Sequence, residues 1–210
     1  MNNAWLIRPY PHKLPRLSEF LDKKIIAVGW PCIGNLKGKS REELKETLSK
    51  PPYSYEGLIL GNAYATIDIF VNQMNTGDLL LMPNGDDIYL GKISSDYYLD
   101  PTVDNDTDGY PHQRKAEWLK NTSRKELSKE LRSSLKVHRT AANLSHHFAE
   151  IDALVHDREV PVATSASTNA IDVSYPLRPN FNVSFSIPID ITADEAKRLS
   201  AYFASLYFKN

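Results

Sequence analysis

Short apolar runs alternate with amphipathic stretches along the first part of the chain. Ala4-Trp5-Leu6-Ile7, closed by Arg8-Pro9, has the composition of a buried strand. Leu17, Phe20 and Leu21 recur at helical spacing and predict a short helix over 17–24. Ile25-Ile26-Ala27-Val28 is a second strand run, and it stops abruptly in Gly29-Trp30-Pro31. Glycine permits backbone conformations that other residues resist, and proline ends a ladder, so Trp30 is predicted at a strand end beside a loop closed by Gly34. Ser40-Arg41-Glu42-Glu43 is a capping box that opens a helix to about Lys50, where Pro51-Pro52-Tyr53 ends it. Ala63, Ile67, Phe70, Val71 and Met74 share one helical face and predict a helix over 62–74.

From residue 79 the pattern becomes β-rich. Leu79 to Met82 and Ile88 to Ile93 flank the turn sequence Asn84-Gly85-Asp86-Asp87 and predict a hairpin. Asp96 to Leu99 and His112 to Trp118 read as further strands around a polar loop, 100–109, that holds four aspartates. A second capping box, Ser123 to Glu126, predicts a helix to about Leu135, and another helix is expected over 144–155. The small polar run Thr164 to Asn169 has linker composition. Beyond it, Val183, Phe185, Ile187 and Ile189 alternate as a strand, and a third box at Thr192 to Glu195 opens a final helix presenting Ala196, Leu199, Phe203 and Leu206. The expected organisation is a main domain over 1–156, a linker over 157–174 and a strand–helix tail over 175–210. One strand and one helix make too small a core, so the tail is expected to dock on the main domain or to form a homodimer.

Composition narrows the function classes. The 210 residues contain one cysteine, Cys32, so no intrachain disulfide forms, which fits a reducing compartment. The N-terminus lacks the pattern of a signal peptide, and no apolar run approaches membrane-spanning length. A cytoplasmic protein without a membrane partner is expected. The net charge of −1 argues against wholesale polyanion binding, but the charge is blocked: +5 over residues 1–50, −9 over 51–110, +4 over 111–158 and −1 thereafter. The two basic blocks would form a basic face if they met in space.

Catalytic chemistry finds little support. Gly34 to Ser40 ends in Gly-Lys-Ser but lacks the spacing of a phosphate-binding loop. One cysteine and the adjacent pair His146-His147 do not make a zinc site. Nothing local supplies Cys32 with a base and an oxyanion pocket, although His12 or His112 has the right chemistry for the base. Asp78, in Thr-Gly-Asp, reads as a turn residue. No metal or cofactor is implied, and a non-enzymatic protein is expected. What stands out is the placement of aromatic rings. Trp5, Trp30 and Trp118 fall on three predicted strands, Tyr98 borders the polar loop, and rings converging from different strands stack on planar ligands at roughly 1–3 kcal/mol per base. Arg8, Arg114, Lys115 and the basic stretch of the 120s are candidates for holding phosphates.

The order Trp5-Leu-Ile-Arg8, Ile26-Ala-Val-Gly29-Trp30, Gly34-Asn35-Leu36, Gly77-Asp78, Tyr89-Leu-Gly91-Lys-Ile93 and His112-Gln-Arg114-Lys-Ala-Glu117-Trp118 resembles the PUA-like/EVE-like domains of bacterial restriction and anti-phage proteins, over residues 3–156. That superfamily, with its YTH and SRA-like readers, implies an α+β fold: a curved, barrel-like mixed sheet with flanking helices. It also implies nucleic-acid binding, with a modified or flipped base held in an aromatic pocket. By resemblance Trp30 and Asn35 line that pocket, with Trp5, Trp118 and Tyr98 near it. Asn35 stands where the family loop usually carries Asp, replacing a pure acceptor with a group that also donates. The expected function is a reader of modified bases, with DNA favoured over RNA, that signals to an effector protein in a defence or regulatory system. Two alternatives stand beside it: an adaptor or antitoxin-like subunit acting through the tail, and a sensor of a free nucleotide.

Overall fold

The structure is a computed structural model that describes residues 3–137, 139–158, 170–179 and 181–205. The chain divides into two compact units, Met1–Val160 and Pro161–Asn210.

The first unit is α+β, a curled mixed sheet with helices on both faces. In chain order its elements are β1 (Ala4–Ile7), α1 (Leu17–Asp22), β2 (Ile25–Val28), α2 (Arg41–Ser49), α3 (Gly57–Asp68), β3 (Leu79–Asn84), β4 (Asp87–Ile93), β5 (Tyr98–Leu99), β6 (His112–Ser123), α4 (Lys129–Ser134), β7 (Ala141–Asn143) and α5 (Phe148–Val155). The strands lie in the order β2-β6-β4-β3-β1-β7, with β5 also paired to β6. Among the described residues of this unit β1 and β3 run parallel and the other pairings are antiparallel.

The continuous apolar runs follow from burial on both faces of the sheet. Successive side chains point to opposite sides, so Trp5, Ile7, Leu80 and Met82 join one core with Phe20, Leu44, Ile67 and Phe70 from α1 to α3 and the turn that continues α3. Ala4, Leu6, Leu79 and Leu81 join a second core with Leu131, Ile151 and Leu154 from α4 and α5. The sheet curls because β6 serves two partners. His112 to Lys115 pair with β2, while Ala116 to Ser123 pair with β4 across a bulge at Leu90/Gly91. Gly91 is required there: a Cβ would sit 2.6 Å from the Glu117 carbonyl and 2.8 Å from the Trp118 ring.

Several elements depart from the sequence pattern. β6 runs through the box expected at Ser123, because its ladder with β4 persists to Asp87↔Ser123. The helix starts at Ser128, whose hydroxyl accepts the Leu131 amide and donates to Glu150 of α5. The boxes at Ser40 and Thr192 form as expected. α3 begins five residues before the expected start and continues as a π turn over Ile69–Gln73.

Arg114 caps that turn. It is buried, and its guanidinium donates to the carbonyls of Phe70 (2.8 Å), Val71 (2.9 Å) and Ser95 (3.3 Å). The carbonyls at a helix end lack intrahelical partners, and a cation satisfies both their hydrogen bonds and the dipole. Arg114 is therefore committed to the fold and not to phosphate. Trp5 is likewise core, with its indole N–H donating to the buried Asp78 carboxylate at 2.7 Å. Asp78 also accepts the Asn75 amide at 2.9 Å, so it closes the turn and satisfies the indole together.

The second unit is a hairpin, β8 (Ala170–Arg178) and β9 (Phe181–Pro188), followed by α6 (Ala193–Ser205). The tail thus has two strands where one was expected, and the last five residues assigned to a linker, 170–174, belong to β8. Residues 159–169, the rest of that linker's polar run, and Leu206 lie outside the described residues.

Removing the cap at Arg114 leaves buried carbonyls without donors, a loss of about 3 kcal/mol or more at 1–3 kcal/mol each. Arg114→Ala is expected to lower the urea midpoint of the first unit accordingly, read by tryptophan fluorescence. An unchanged midpoint would return Arg114 to ligand binding.

Candidate functional site

The loop after β2 is held in a conformation that its residues resist. Trp30 (φ 63°) and Cys32 (φ 63°) both lie in the left-handed region, followed by Gly34 at φ 70°. For a non-glycine residue this costs on the order of 1–3 kcal/mol and persists only where the surroundings over-determine it. Three elements do so. The His112 ring of β6 contacts the Trp30 carbonyl at 2.9 Å, the Tyr53 hydroxyl donates to the Pro31 carbonyl at 2.9 Å, and Asp104 of the polar loop accepts the Cys32 amide at 2.6 Å.

The proton positions around His112 follow from the partners. The Trp30 carbonyl can only accept, so His112 carries its proton on Nε2. Nδ1 then accepts from the Tyr97 hydroxyl at 2.8 Å, whose oxygen accepts the Leu36 amide at 3.2 Å. Burial raises the Tyr97 phenol, which keeps it a donor. Burial also pulls the His112 imidazole down to about 4, against the opposing influence of the Trp30 carbonyl and Asp104. A neutral histidine thus ties both ends of the loop, Trp30 and Leu36, to the sheet.

Held this way, Trp30 borders two adjoining clefts. One, about 520 Å³, is lined by Trp30, Tyr55 and Thr140 together with Asn62, Val137 and Arg139. The other, about 320 Å³, shares Trp30, Tyr55 and Thr140 and adds Tyr10, Tyr53 and Lys13. Four aromatic rings and two basic side chains therefore line the two clefts that meet at Trp30. Arg8 supports the wall of the larger one: one guanidinium nitrogen donates to the carbonyls of Leu135 (2.7 Å) and Val137 (3.0 Å), which ties that nitrogen to the backbone. The exposed apolar side chain of Ile59 on α3 lines the larger cleft.

The other expected site residues are placed elsewhere. Asn35 is exposed, and its Oδ1 accepts the Lys37 amide at 2.9 Å, an Asx turn within its own loop; it lines neither cleft at Trp30. Trp118 is half-buried and donates its indole N–H to the Phe20 carbonyl at 3.2 Å. It lines a separate cleft of about 660 Å³ with Lys23, Lys24, Lys115 and Glu117. Lys115 also lies over the Tyr98 ring, whose hydroxyl donates to Gln113 at 2.9 Å. The structure thus brings Trp118, Lys115 and, through Lys115, Tyr98 together, and separates them from Trp30. Tyr10, Tyr53, Tyr55, Lys13 and Arg139 were not anticipated. Their signal in the sequence is the pair of proline–tyrosine stretches, Pro9-Tyr10-Pro11 and Pro51-Pro52-Tyr53-Ser54-Tyr55, which read only as helix and strand stops. Among the described residues no group of three or more His, Cys, Asp and Glu side chains gathers as a metal site, and no helix is long and apolar enough to cross a membrane.

A family model for a domain of unknown function, DUF8426, matches residues 12–144. The chain belongs to the DUF8426 family. The matched segment contains the Trp30 loop, His112 and every cleft residue except Tyr10 and Pro11; the second unit lies outside it. Among solved structures, protein Atu2648 from Agrobacterium tumefaciens matches with 11% identity and a TM-score of 0.35, over 73% of this chain and 93% of that one. No curated protein matches the chain.

Because His112 is neutral in the fold and titrates near 6.5 when exposed, the unfolded chain binds the extra proton between those values. Its contribution is fully present above pH 6.5 and is lost as the pH falls toward 4, amounting to about 3 kcal/mol at 1.36 kcal/mol per unit. Subtracting the stability–pH curve of His112→Gln from that of the wild type is expected to leave a slope in this window. A flat difference would show that His112 does not hold the loop as a neutral group.

Proposed function

We propose that the first unit is a non-enzymatic nucleobase-binding domain, with Trp30 as the stacking platform. The reading rests on one observation: a left-handed tryptophan whose carbonyl is anchored by a buried neutral histidine and which borders a trough lined by Tyr10, Tyr53 and Tyr55. Strain over-determined by a scaffold concentrates at ligand sites, and aromatic rings bind bases through their π faces. Lys13 lines the same cleft as these tyrosines and Arg139 the adjoining one, where charge-assisted bonds would take a phosphate. The resemblance to PUA-like/EVE-like domains points to the same chemistry, with a modified base flipped out of DNA as the ligand and an effector protein receiving the signal. Flipping costs a few kcal/mol of stacking and pairing, which the rings must offset. The single cysteine fits action in a reducing compartment such as the cytoplasm.

A second reading, an adaptor that binds protein at this face, draws on Leu58 and Ile59, which are 87% and 64% exposed on the first turn of α3.

A titration of tryptophan fluorescence with short duplexes, unmodified or carrying modified cytosines, and with free nucleotides tests both. Preferential quenching by a modified duplex is the expected outcome; in a folded Trp30→Ala protein, with the anisotropy of a labelled duplex as the readout, affinity is expected to fall five- to more than a hundredfold, the equivalent of stacking worth roughly 1–3 kcal/mol. Quenching by free nucleotides alone would make the domain a small-molecule sensor. Undiminished affinity in a folded Trp30→Ala protein would end the proposal, and no response to any ligand would favour the adaptor.

A further inference from the structure

The second unit is one-sided. The register pairs Ile171 with Ile187, Val173 with Phe185 and Tyr175 with Val183, so these six side chains share one face of the hairpin. The opposite face carries Asp172, Ser174, Ser184 and Ser186, with the Ser186 hydroxyl bonded to Asp172. α6 packs on the apolar face through Phe203, whose ring centroid lies 5.3 Å from that of Phe185. The cover is incomplete. An apolar cleft of about 790 Å³ remains between hairpin and helix, lined by Tyr175, Leu177, Phe185, Ile187, Leu199 and Phe203 among others. The residues of β9 in this cleft are half-buried, whereas Tyr175 and Leu177 of β8 are 60% and 56% exposed, so the open part lies over β8.

We infer that this face is a dimerisation surface whose occupant is the same face of a second copy of the chain. The first argument is size. A lone hairpin is marginal in water, and one partly covering helix leaves the core half-formed; a second identical unit doubles it. The second is area. On this face Ile171, Tyr175, Leu177 and Phe203 are each 41–60% exposed. Taking roughly 200 Å² for a large side chain, these four offer roughly 400 Å², about half of the roughly 800 Å² that each partner buries in a standard-size interface and the size of a weak, concentration-dependent dimer. The third is charge. Residues 170–205 hold three basic and four acidic side chains, so the unit has no single-sign field to select an oppositely charged partner or to repel its own copy. A face that pairs with itself about a two-fold axis needs only this balance.

Light scattering on the full chain across a dilution series is the test, with amide exchange over β8 followed in parallel. A mass of twice 23.8 kDa is expected, falling toward the monomer on dilution as exchange over β8 rises. The double substitution Tyr175→Lys/Leu177→Lys is expected to halve the mass at concentrations where the wild type is dimeric. Ser174→Lys alone, on the polar face, is expected to leave it unchanged. A wild-type protein that is monomeric at every concentration overturns the inference and leaves the face to the chain itself or to another protein. A dimer that survives the Tyr175/Leu177 substitutions, or that forms without change in β8 exchange, overturns it as well. None of these readouts depends on base binding at Trp30.

Discussion

One buried histidine carries much of the candidate site. His112 sits at the start of the longest strand and bonds outward to the Trp30 carbonyl and inward to the Tyr97 hydroxyl, which in turn holds the Leu36 amide. The loop between Trp30 and Leu36 is thereby fixed at both ends to one imidazole. The arrangement works only with the ring neutral, because a protonated Nδ1 could not accept from Tyr97. Desolvation ensures that state, so the same burial that would make a charged group expensive makes this one dependable.

The sheet's curl is the second constraint. β6 changes partner along its length, from β2 to β4, and the bulge opposite Gly91 accommodates the change. One consequence is that Trp118 and Trp30, both tied to this part of the sheet, serve different clefts. Another is that the basic side chains divide between them. Lys23, Lys24 and Lys115 gather beside Trp118, and Lys13 and Arg139 beside Trp30, while Arg8 and Arg114 are spent on backbone carbonyls. An arginine fork that satisfies several carbonyls is a structural element, and its charge says little about ligands.

The α+β class, most strands and the end of β2 at Trp30 were legible in the linear pattern, because burial on one or both faces imposes its period on neighbouring residues. So were the capping boxes at Ser40 and Thr192, whose hydrogen bonds are local. The box at Ser123 has the same local grammar but opens only a 3-10 turn over Arg124–Glu126, its hydroxyl accepting the Lys125 amide at the point where the ladder to β4 ends. β7 and the extra strand β8 were not anticipated: three residues are too few to show a period, and β8 begins inside a stretch whose small polar residues resemble a linker.

What the sequence alone determined is therefore local: which residues are apolar at which spacing, where glycine and proline stop an element, and that a tryptophan stands at one such stop. Which rings share a cleft was decided by the tertiary structure. Tyr10, the Tyr53–Tyr55 stretch and Thr140 come to Trp30 from three separate segments, and no periodicity links residues that meet only through the sheet's curvature. The same holds for charge. Sequence places Arg114 and Lys115 side by side, but alternation along β6 buries one beneath α3 and leaves the other in solvent, because successive side chains of a strand point to opposite faces.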